Sequence, residues 1–384
     1  MSDLYQHGVE PERYPELLEQ KCQYLTDLMS EFSPPNLEAF GSAPTNFRLR
    51  AEFRLWHSGD RCFYAMFDPE DRKKPLEVID FPIASVLIND LMKRLLEDLH
   101  DKNNADADLL RRKMFQVEFL TTLSGDALIT MIYHKKLDEQ WEVAARKLSE
   151  RLTAVMGSEV AIIGRSRKQK VVLQRDYVTE VLNVDGEQYS YRQIEGGFTQ
   201  PNGEMNQQML SWARACADDL GERSERGDLL ELYCGNGNFS VAMANKFDRV
   251  MATEISKTSV NAAQVNIADN KVDNLIIARL SSEEFVQALR GEATFTRLKD
   301  IDLNSYDFRT VLVDPPRAGL DDESVKQVQG YDNIIYISCN PDTLHNNLQV
   351  LTETHDIVRL ALFDQFPYTH HIETGVFLRR KVTA

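Results

Sequence analysis

The sequence predicts an α/β protein of two domains, in which an α+β domain with mostly antiparallel strands precedes a doubly wound sheet. Two observations support this prediction. From residue 228 onward, short apolar runs alternate with helical patterns, which is typical of a doubly wound, largely parallel sheet. Before that point, runs of alternating apolar and polar residues follow one another across short turns, which indicates antiparallel strands. We expect the two domains to cover residues 1–190 and 191–384.

The composition narrows the class of protein. The 384 residues are 42% hydrophobic and 27% charged, which is ordinary for a soluble globular protein with two cores. The five cysteines are scattered without a C-x-x-C spacing, so we expect a reducing, cytoplasmic setting and neither disulfides nor a metal site. Neither a membrane span nor a signal peptide is indicated. The formal net charge of −16 argues against attraction of nucleic acid to the whole surface, although a local basic patch could still bind it.

The first half begins with a helical pattern over residues 11–31, followed by a strand over residues 47–57 and its hairpin partner over residues 62–67. Alternation in the first strand separates apolar from polar side chains. Its polar face carries three arginines, a glutamate and a tryptophan: Arg48, Arg50, Glu52, Arg54 and Trp56. This face is either an ordinary solvated surface or, because arginines and an aromatic residue lie together in an acidic protein, a surface that binds the RNA backbone.

Further elements complete the α+β domain. One helix is expected over residues 85–100, with the Ser85 hydroxyl at its N-cap, and another over residues 141–156. The remaining strands are expected at residues 115–122, 127–133, 160–163, 171–173 and 188–191. Basic residues cluster in three segments of this half, at residues 48–54, 111–113 and 165–170. We therefore expect this half to bind the substrate or a partner.

The second half has seven predicted strands. They lie at residues 229–233, 249–253, 275–278, 310–313, 334–338, 357–363 and 375–379. No helical pattern separates the last two, so they fit an antiparallel hairpin. This ending resembles the seven-stranded mixed sheet of Rossmann-like class I methyltransferases and differs from that of a dehydrogenase.

A glycine-rich loop follows the first strand of the second half, with the sequence Cys-Gly-Asn-Gly-Asn-Phe-Ser over residues 234–240. Its glycines, Gly235 and Gly237, would let the backbone approach a ligand closely. Glu254 ends the next strand, where a carboxylate can accept both ribose hydroxyls of a nucleoside cofactor. Ser240 stands at the third glycine position of the dinucleotide fingerprint, and no basic group is present to bind a pyrophosphate. S-adenosyl-L-methionine therefore fits this loop better than NAD.

Two later strands end in further reactive side chains. Asp314 closes the fourth strand and is followed by Pro-Pro. This combination resembles a methyltransferase feature that lies where donor and acceptor meet; a strand-terminating turn would also explain it. Cys339 closes the fifth strand, with Asn340 as a possible N-cap and Pro341 in the first turn of the next helix. That helix N-terminus would favour a thiolate at Cys339. The alternative is a buried structural cysteine.

A thiolate at Cys339 would suit methylation of a pyrimidine. Carbon 5 of the ring is a poor nucleophile, but addition of a thiolate to carbon 6 turns it into an enolate-like one. A base must then remove the proton from carbon 5 so that the thiol can leave. The connection over residues 366–376 offers three candidates for this base, Glu373, His370 and His371, and the residues alone do not choose among them. The histidines could also bind phosphate.

Four motifs in the order Gly-Asn-Gly-Asn-Phe-Ser, Val-Asp-Pro-Pro-Arg, Ser-Cys-Asn-Pro and His-His-Ile-Glu resemble the RNA uracil-5-methyltransferase family. Longer matches, including Phe-Asp-Gln-Phe-Pro-Tyr-Thr-His-His, extend the resemblance to essentially the whole chain and to the bacterial members that act on tRNA. The resemblance implies an enzyme that forms 5-methyluridine in the T-loop of tRNA, with S-adenosyl-L-methionine as methyl donor. Other RNAs with a T-like loop are further possible partners.

The resemblance also assigns roles to single residues. It makes Cys339 the nucleophile and Glu373 the base that takes the proton from carbon 5. The donor would be bound by residues of the glycine loop and of neighbouring segments: Gln200, Tyr233, Gly235, Asn238, Glu254 and Asp314. Arg54 and Phe115 would contact the RNA loop, although Phe115 shares a strand face with Val117 and Phe119 and could equally pack in the core.

Two other classes of function stay open from the residues. One is a different methyltransferase on the same scaffold, which would act on cytosine or on uridine in ribosomal RNA. The other is a non-catalytic RNA-binding or folding factor that has kept the cofactor fold. A turnover assay with a labelled methyl donor, followed by mapping of the methylated nucleoside, separates both from the tRNA uridine methyltransferase.

Overall fold

A computed structural model of the protein describes residues 8–67 and 74–382. The chain forms two compact units. The first is built from Ala43–Val181 and Gln193–Gly203, and the second from Arg13–Ser42, Leu182–Arg192 and residues 204–382. This division differs from the single boundary near residue 190 that we expected, because the N-terminal helix and the strand after it belong to the second unit.

The helices and strands of the described residues follow one another along the chain. The helices are α1 (Tyr14–Met29), α2 (Val86–His100), α3 (Ala107–Arg111), α4 (Glu139–Met156), α5 (Gly203–Asp218), α6 (Asn238–Met243), α7 (Lys257–Asp269), α8 (Ser282–Leu289), α9 (Asp322–Val328) and α10 (Pro341–Leu351). The strands are β1 (Leu37–Phe40), β2 (Arg50–Ser58), β3 (Arg61–Phe67), β4 (Pro75–Val78), β5 (Met114–Thr121), β6 (Ala127–Tyr133), β7 (Val160–Ser166), β8 (Gln169–Val172), β9 (Tyr177–Val184), β10 (Glu187–Ile194), β11 (Asp228–Leu232), β12 (Val250–Thr253), β13 (Leu275–Ala278), β14 (Phe308–Val313), β15 (Asn333–Ser338), β16 (His355–Phe363) and β17 (Glu373–Arg380). No helix among these residues is both long and apolar enough to cross a membrane.

The first unit contains a seven-stranded sheet in the order β4-β3-β2-β5-β6-β7-β8. Its strand pairs are antiparallel except β6 and β7, which are parallel because α4 connects them as a crossover. The alternation expected in β2 is confirmed, since Phe53 and Leu55 are buried whereas Arg54 and Trp56 are exposed. Ser85 caps α2 as expected by accepting a hydrogen bond from the Ile88 N–H at 3.2 Å.

A two-stranded ribbon of β9 and β10 was only half predicted. Its second strand was expected near residues 188–191, but β9 was not. The turn between the strands is Asp185-Gly186, and both residues have positive φ, at 52° and 82°. An Asp-Gly pair between two alternating runs is a strong hairpin signal, so the sequence did contain the information needed to find β9.

The second unit contains an eight-stranded sheet in the order β1-β16-β17-β15-β14-β11-β12-β13. All its pairs are parallel except those of β17, which runs antiparallel to both β15 and β16. The doubly wound mixed sheet and its final hairpin are therefore confirmed. The eighth strand, β1, was not predicted, because a four-residue strand of sequence Leu-Glu-Ala-Phe carries little periodic signal. It pairs with β16 from Leu37 opposite Leu360 to Phe40 opposite Phe363.

The core of the second unit lies on both faces of this sheet. Every residue of β11 is buried, and so is every residue of β15 after Asn333, as expected for strands covered by helices on two sides. From β11 the chain proceeds to β12 and β13 on one side and then to β14 and β15 on the other. The order of strands therefore reverses between β11 and β14, and the carboxyl ends of these strands form the edge where such a sheet binds ligands.

Candidate active site

The carboxyl edge of the second sheet collects the side chains that we predicted to react. Asp314 follows β14 directly, and Cys339 follows its neighbour β15. Strand β17 runs the opposite way beside β15 and pairs Thr374 with Ser338, so its first residue, Glu373, lies at the same edge. The sheet register thus brings the predicted nucleophile and the predicted base together, although they are 34 positions apart in the sequence.

The local structure around Cys339 matches the sequence prediction. Asn340 is the N-cap of α10, and its side chain accepts a hydrogen bond from the Asp342 N–H at 3.2 Å. Pro341 occupies the first turn, where its missing N–H has no helical partner to lose. Cys339 is half-buried rather than enclosed in the core. Its role as the nucleophile stays a prediction.

The protonation state of Cys339 differs from our expectation of a thiolate. Burial, followed by the charges of Glu373 and Asp314, raises the pKa of the thiol to about 11, and Arg317 lowers it only in part. In the free protein, desolvation and two nearby carboxyl groups therefore outweigh the helix N-terminus. The thiol must lose its proton when it attacks.

The carboxyl groups of the site are themselves perturbed. Glu373 is only 5% exposed, and burial, then the neighbouring Asp314, raises its pKa well above the ordinary value. Burial also raises the pKa of Asp314 to about 7. A third acid, Glu231 in β11, was missed in the sequence; it is buried, accepts a hydrogen bond from the Ser240 hydroxyl, and has a pKa raised to about 8 by burial. The sequence feature that could have indicated Glu231 is its place as a single acid inside the apolar run Leu-Leu-Glu-Leu-Tyr.

The glycine loop after β11 has the conformation that its sequence requires. Gly235 and Gly237 have φ values of 57° and 81°, in the left-handed region that glycine adopts without strain. Tyr233 also has a positive φ, of 64°, which is strained for a residue with a bulky side chain and is typical of ligand sites. Glu254 closes the loop by accepting hydrogen bonds from the N–H groups of Gly235 at 3.1 Å and Ser256 at 2.7 Å.

Two other predicted donor-binding residues have different surroundings. The side-chain amide of Asn238, at the start of α6, exchanges two hydrogen bonds of 2.9 Å with that of Asn206 in α5. This pairing fixes the orientation of Asn238. Gln200 lies between β10 and α5 and belongs to the first unit. The roles of both residues at a cofactor stay predictions.

The segment between β16 and β17 holds the three candidate bases. His370 is exposed and His371 is half-buried, with ring centroids 4.4 Å apart. Burial, then the charges of His370 and Arg317, lowers the pKa of His371, which lies with its Nδ1 3.4 Å from the Arg317 guanidinium. Glu373 is the most buried of the three and lies at the same edge as Cys339. The geometry therefore favours Glu373 as the base.

The first unit presents an aromatic and basic cluster on its sheet. A bulge in β5 between Met114 and Gln116 breaks the alternation, so Phe115 does not join Val117 and Phe119 in the core. Phe115 is half-buried, stacks on His134 with ring centroids 3.8 Å apart, and lies 5.4 Å from the Arg54 guanidinium. Core packing of Phe115 is thus excluded. His134 was missed, because a lone histidine after a strand carries no specific signal.

Two of the basic clusters meet at the end of β6. The Lys113 carbonyl accepts a hydrogen bond from the His134 N–H at 2.9 Å, and the Lys135 carbonyl accepts one from the Ser166 hydroxyl at 2.5 Å. Lys113 and Lys168 are exposed and have φ values of 61° and 60°, where glycine would be less strained. Within residues 8–67 and 74–382, no group of three or more His, Cys, Asp or Glu side chains could hold a metal ion.

Comparison with known proteins places these features in a family. The model of the tRNA (Uracil-5-)-methyltransferase family matches residues 13–381. The tRNA/tmRNA (uracil-C(5))-methyltransferase of Shewanella amazonensis is 55% identical over 374 residues, which cover 97% of this chain and 99% of that protein. The protein of the same name from Colwellia psychrerythraea is 53% identical over 378 residues, which cover 98% of this chain and 100% of that protein.

One solved structure supports the fold over nearly the whole chain. The crystal structure of Pyrococcus abyssi tRNA (uracil-54, C5)-methyltransferase in complex with S-adenosyl-L-homocysteine has a TM-score of 0.66 and 19% sequence identity. The match covers 95% of this chain and 83% of that one. The family match, the two close relatives and the shared fold lead to one conclusion. This chain belongs to the tRNA (uracil-5-)-methyltransferase family.

Proposed function

We propose that this protein methylates carbon 5 of a uridine in the T-loop of tRNA, giving 5-methyluridine, through a covalent bond between Cys339 and carbon 6 of the ring. The observation that carries the proposal is the common sheet edge of Cys339, Asp314 and Glu373. Each of these groups has a separate task in the reaction, and family membership favours uridine in tRNA over cytosine or ribosomal RNA as the target.

The methyl donor is S-adenosyl-L-methionine, which supplies an electrophilic methyl group when bound. The residues that would hold it are those of the glycine loop and of the neighbouring strand ends: Tyr233, Gly235, Asn238, Glu254 and Asp314. The resemblance to the family adds Gln200. Three features fit this donor. The loop closes on a carboxylate, as expected for a ribose site, and Ser240 is buried and donates to Glu231 rather than facing a phosphate. The carboxyl group of Asp314, in its ionised form, suits a sulfonium cation.

The first chemical step belongs to Cys339. Its sulfur forms a bond to carbon 6 while the ring electrons move toward the carbonyl oxygen on carbon 4, leaving carbon 5 nucleophilic. The thiol proton must go to a nearby base, and Asp314, whose pKa is about 7, is partly ionised at neutral pH and can accept it. Formation of the covalent bond therefore does not require a preformed thiolate.

The last chemical step belongs to Glu373. After carbon 5 has received the methyl group, the Glu373 carboxylate removes the remaining proton from that carbon. The electron pair of the broken C–H bond restores the double bond between carbons 5 and 6, and the thiolate of Cys339 leaves. Burial makes Glu373 a strong base in its ionised form, because the raised pKa favours the proton-bound state.

The first unit would bind the RNA. Phe115 stacked on His134, with Arg54 beside it, offers a flat aromatic surface for a base and a cation for the backbone. Turning the target uridine out of the T-loop costs a few kcal/mol, roughly, and base stacking on an aromatic side chain contributes about 1–3 kcal/mol in return. The exposed Lys113 and Lys168 would contact phosphates.

The partner is therefore tRNA through its T-arm, and tmRNA, which the relatives' names include, is a further candidate with a T-like loop. A tRNA substrate would place the enzyme in the cytoplasm. The test is incubation of unmodified tRNA with the protein and labelled S-adenosyl-L-methionine, followed by nuclease mapping and mass spectrometry. One 5-methyluridine in the T-loop is expected, and methylation of another base or another RNA region would contradict the proposal.

A further inference from the structure

A buried lysine of the N-terminal helix is bound to the segment that carries the predicted base. Lys21 in α1 is 8% exposed. Its ammonium donates hydrogen bonds to Asp364 Oδ1 at 2.6 Å, the Phe366 carbonyl at 3.0 Å and the His371 carbonyl at 2.9 Å. All three acceptors lie in the connection between β16 and β17, which ends at Glu373.

The buried ammonium of Lys21 has a hydrogen-bond acceptor for each of its N–H groups. An ammonium has three N–H donors, and each has an acceptor here, while the partner carboxyl of Asp364 is also buried. Burial lowers the pKa of Lys21, and the charge of Asp364 opposes that effect. Buried ion pairs are weak sources of stability, so stability alone does not explain the pairing of Lys21 with Asp364.

The position of the two carbonyls indicates that reason. Phe366 and His371 stand at the two ends of the loop over residues 366–371, so one ammonium ties both ends together. Inside the loop, Tyr368 has a φ of 65°, a conformation that must be held by its surroundings. Glu373 begins β17 two residues after His371, and a displacement of the loop would be passed on to its carboxyl group.

The same helix also contacts the segment that follows the nucleophile. The Tyr24 hydroxyl donates a hydrogen bond to Asp342 Oδ1 at 2.9 Å, in the first turn of α10. Arg317 contacts the same two segments. Its carbonyl accepts a hydrogen bond from the Asn340 side chain at 3.2 Å, and its guanidinium lies beside His371. Helix α1 is therefore hydrogen-bonded both to the connection that leads to Glu373 and to the first turn of the helix that follows Cys339.

We propose that Lys21 is a positioning residue, which orients Glu373 toward the uracil ring by fixing the loop between β16 and β17. The inference rests on the function proposed above. Lys21 touches neither the ring nor the methyl donor in this account; it acts only through the loop. Removing it should therefore affect release of the product, which needs Glu373, and spare the attack by Cys339, which does not.

The test separates these two steps with the substitution Lys21→Met. With 5-fluorouridine RNA the ring is trapped after methyl transfer, because carbon 5 carries no proton to remove. Trapping by the variant should stay close to the wild-type rate. With ordinary uridine RNA, release should slow by up to about 100-fold, the effect of misplacing a group by about 1 Å, and a methylated covalent complex should accumulate.

Two further variants separate positioning from stability. Leu25→Ala removes a fully buried side chain of the same helix and should cost about 2–5 kcal/mol of stability, while the three hydrogen bonds from Lys21 to the loop remain. It should release product normally. The double variant Lys21→Met, Asp364→Asn leaves no unpaired buried charge and should show the same release defect as Lys21→Met.

Equal losses in trapping and release, or normal release by the double variant, would overturn the positioning role. If the wild-type protein itself traps no RNA, the proposed function fails, and hydrogen exchange of the amides at residues 366–372 then decides the inference. Faster exchange of these amides in Lys21→Met than in Leu25→Ala supports it. Equal protection in the two variants contradicts it.

Discussion

Replacing Glu231 with glutamine should remove a pH-dependent part of the free energy of unfolding. Glu231 is 1% exposed in β11, and burial raises its pKa from 4.5 to about 8. The Ser240 hydroxyl opposes this shift, whereas the charges of Asp314 and Glu254 add to it. Because the folded-state pKa is the higher one, the contribution of this group to stability is complete below pH 4.5 and is lost as the pH rises toward 8.

The expected size follows from the shift. One pKa unit corresponds to about 1.4 kcal/mol, and the loss tapers near each pKa, so between pH 5 and pH 8 the wild-type protein should lose about 3.5 kcal/mol through Glu231 alone. Glutamine is neutral at both values and keeps an oxygen that can accept the Ser240 hydrogen bond. At pH 5 the variant should therefore match the wild type closely, and at pH 8 it should be more stable.

The assay is urea unfolding at pH 5 and pH 8, followed by tryptophan fluorescence, to which the buried Trp212 of the second unit contributes. Glu353→Gln, a change of the same chemistry at an exposed position, is the matched control and should leave the pH dependence unchanged. If Glu231→Gln and the wild type lose the same free energy of unfolding between the two pH values, the claim that Glu231 is buried in its uncharged form is wrong.

Two other substitutions test the chemistry and the RNA surface. Glu373→Gln should form the covalent complex and transfer the methyl group but release product slowly, so a denaturation-resistant complex should accumulate on a gel; rapid turnover would assign the base to another residue. Arg54→Ala should weaken binding of T-arm RNA and reduce the slope of log affinity against log salt by about one, as expected for one lost phosphate contact. Phe115→Ala should weaken binding by about 1–3 kcal/mol and leave that slope unchanged. Filter binding at several salt concentrations measures the affinity and the slope, and Arg290→Ala, at an exposed position of the second unit, is the control. An unchanged affinity in Arg54→Ala would show that Arg54 does not contact the RNA.

The sheet of the second unit was largely predictable because its strands are long apolar runs separated by regular helical patterns. Those runs located Asp314 and Cys339 at strand ends, where the topology of a parallel sheet collects ligand-binding groups. The antiparallel return of β17 then placed Glu373 beside them. A pattern that is repeated over many residues can be recognised in the sequence without three-dimensional information.

Features that depend on a single residue or on distant pairing were not predictable. The bulge at Met114 that turns Phe115 out of the core changes one position in a regular alternation. Strand β1 is defined by its partner β16 rather than by its own four residues. The three acceptors of Lys21 lie more than 340 positions away in the sequence. The pKa of the Cys339 thiol depends on burial and then on the charges of Glu373 and Asp314, and only the folded chain produces both.

The central claim is a covalent bond between the RNA and Cys339, and the mass of the trapped complex tests it most directly. Wild-type protein, S-adenosyl-L-methionine and a T-arm RNA with 5-fluorouridine at the target position should give a complex that survives denaturation. Digestion should then yield one cross-linked peptide, which contains Cys339 and carries a methylated ring. Cys22→Ala, which changes another half-buried cysteine, should form the same complex. A complex that persists in Cys339→Ala, or a cross-link at another residue, would contradict the account.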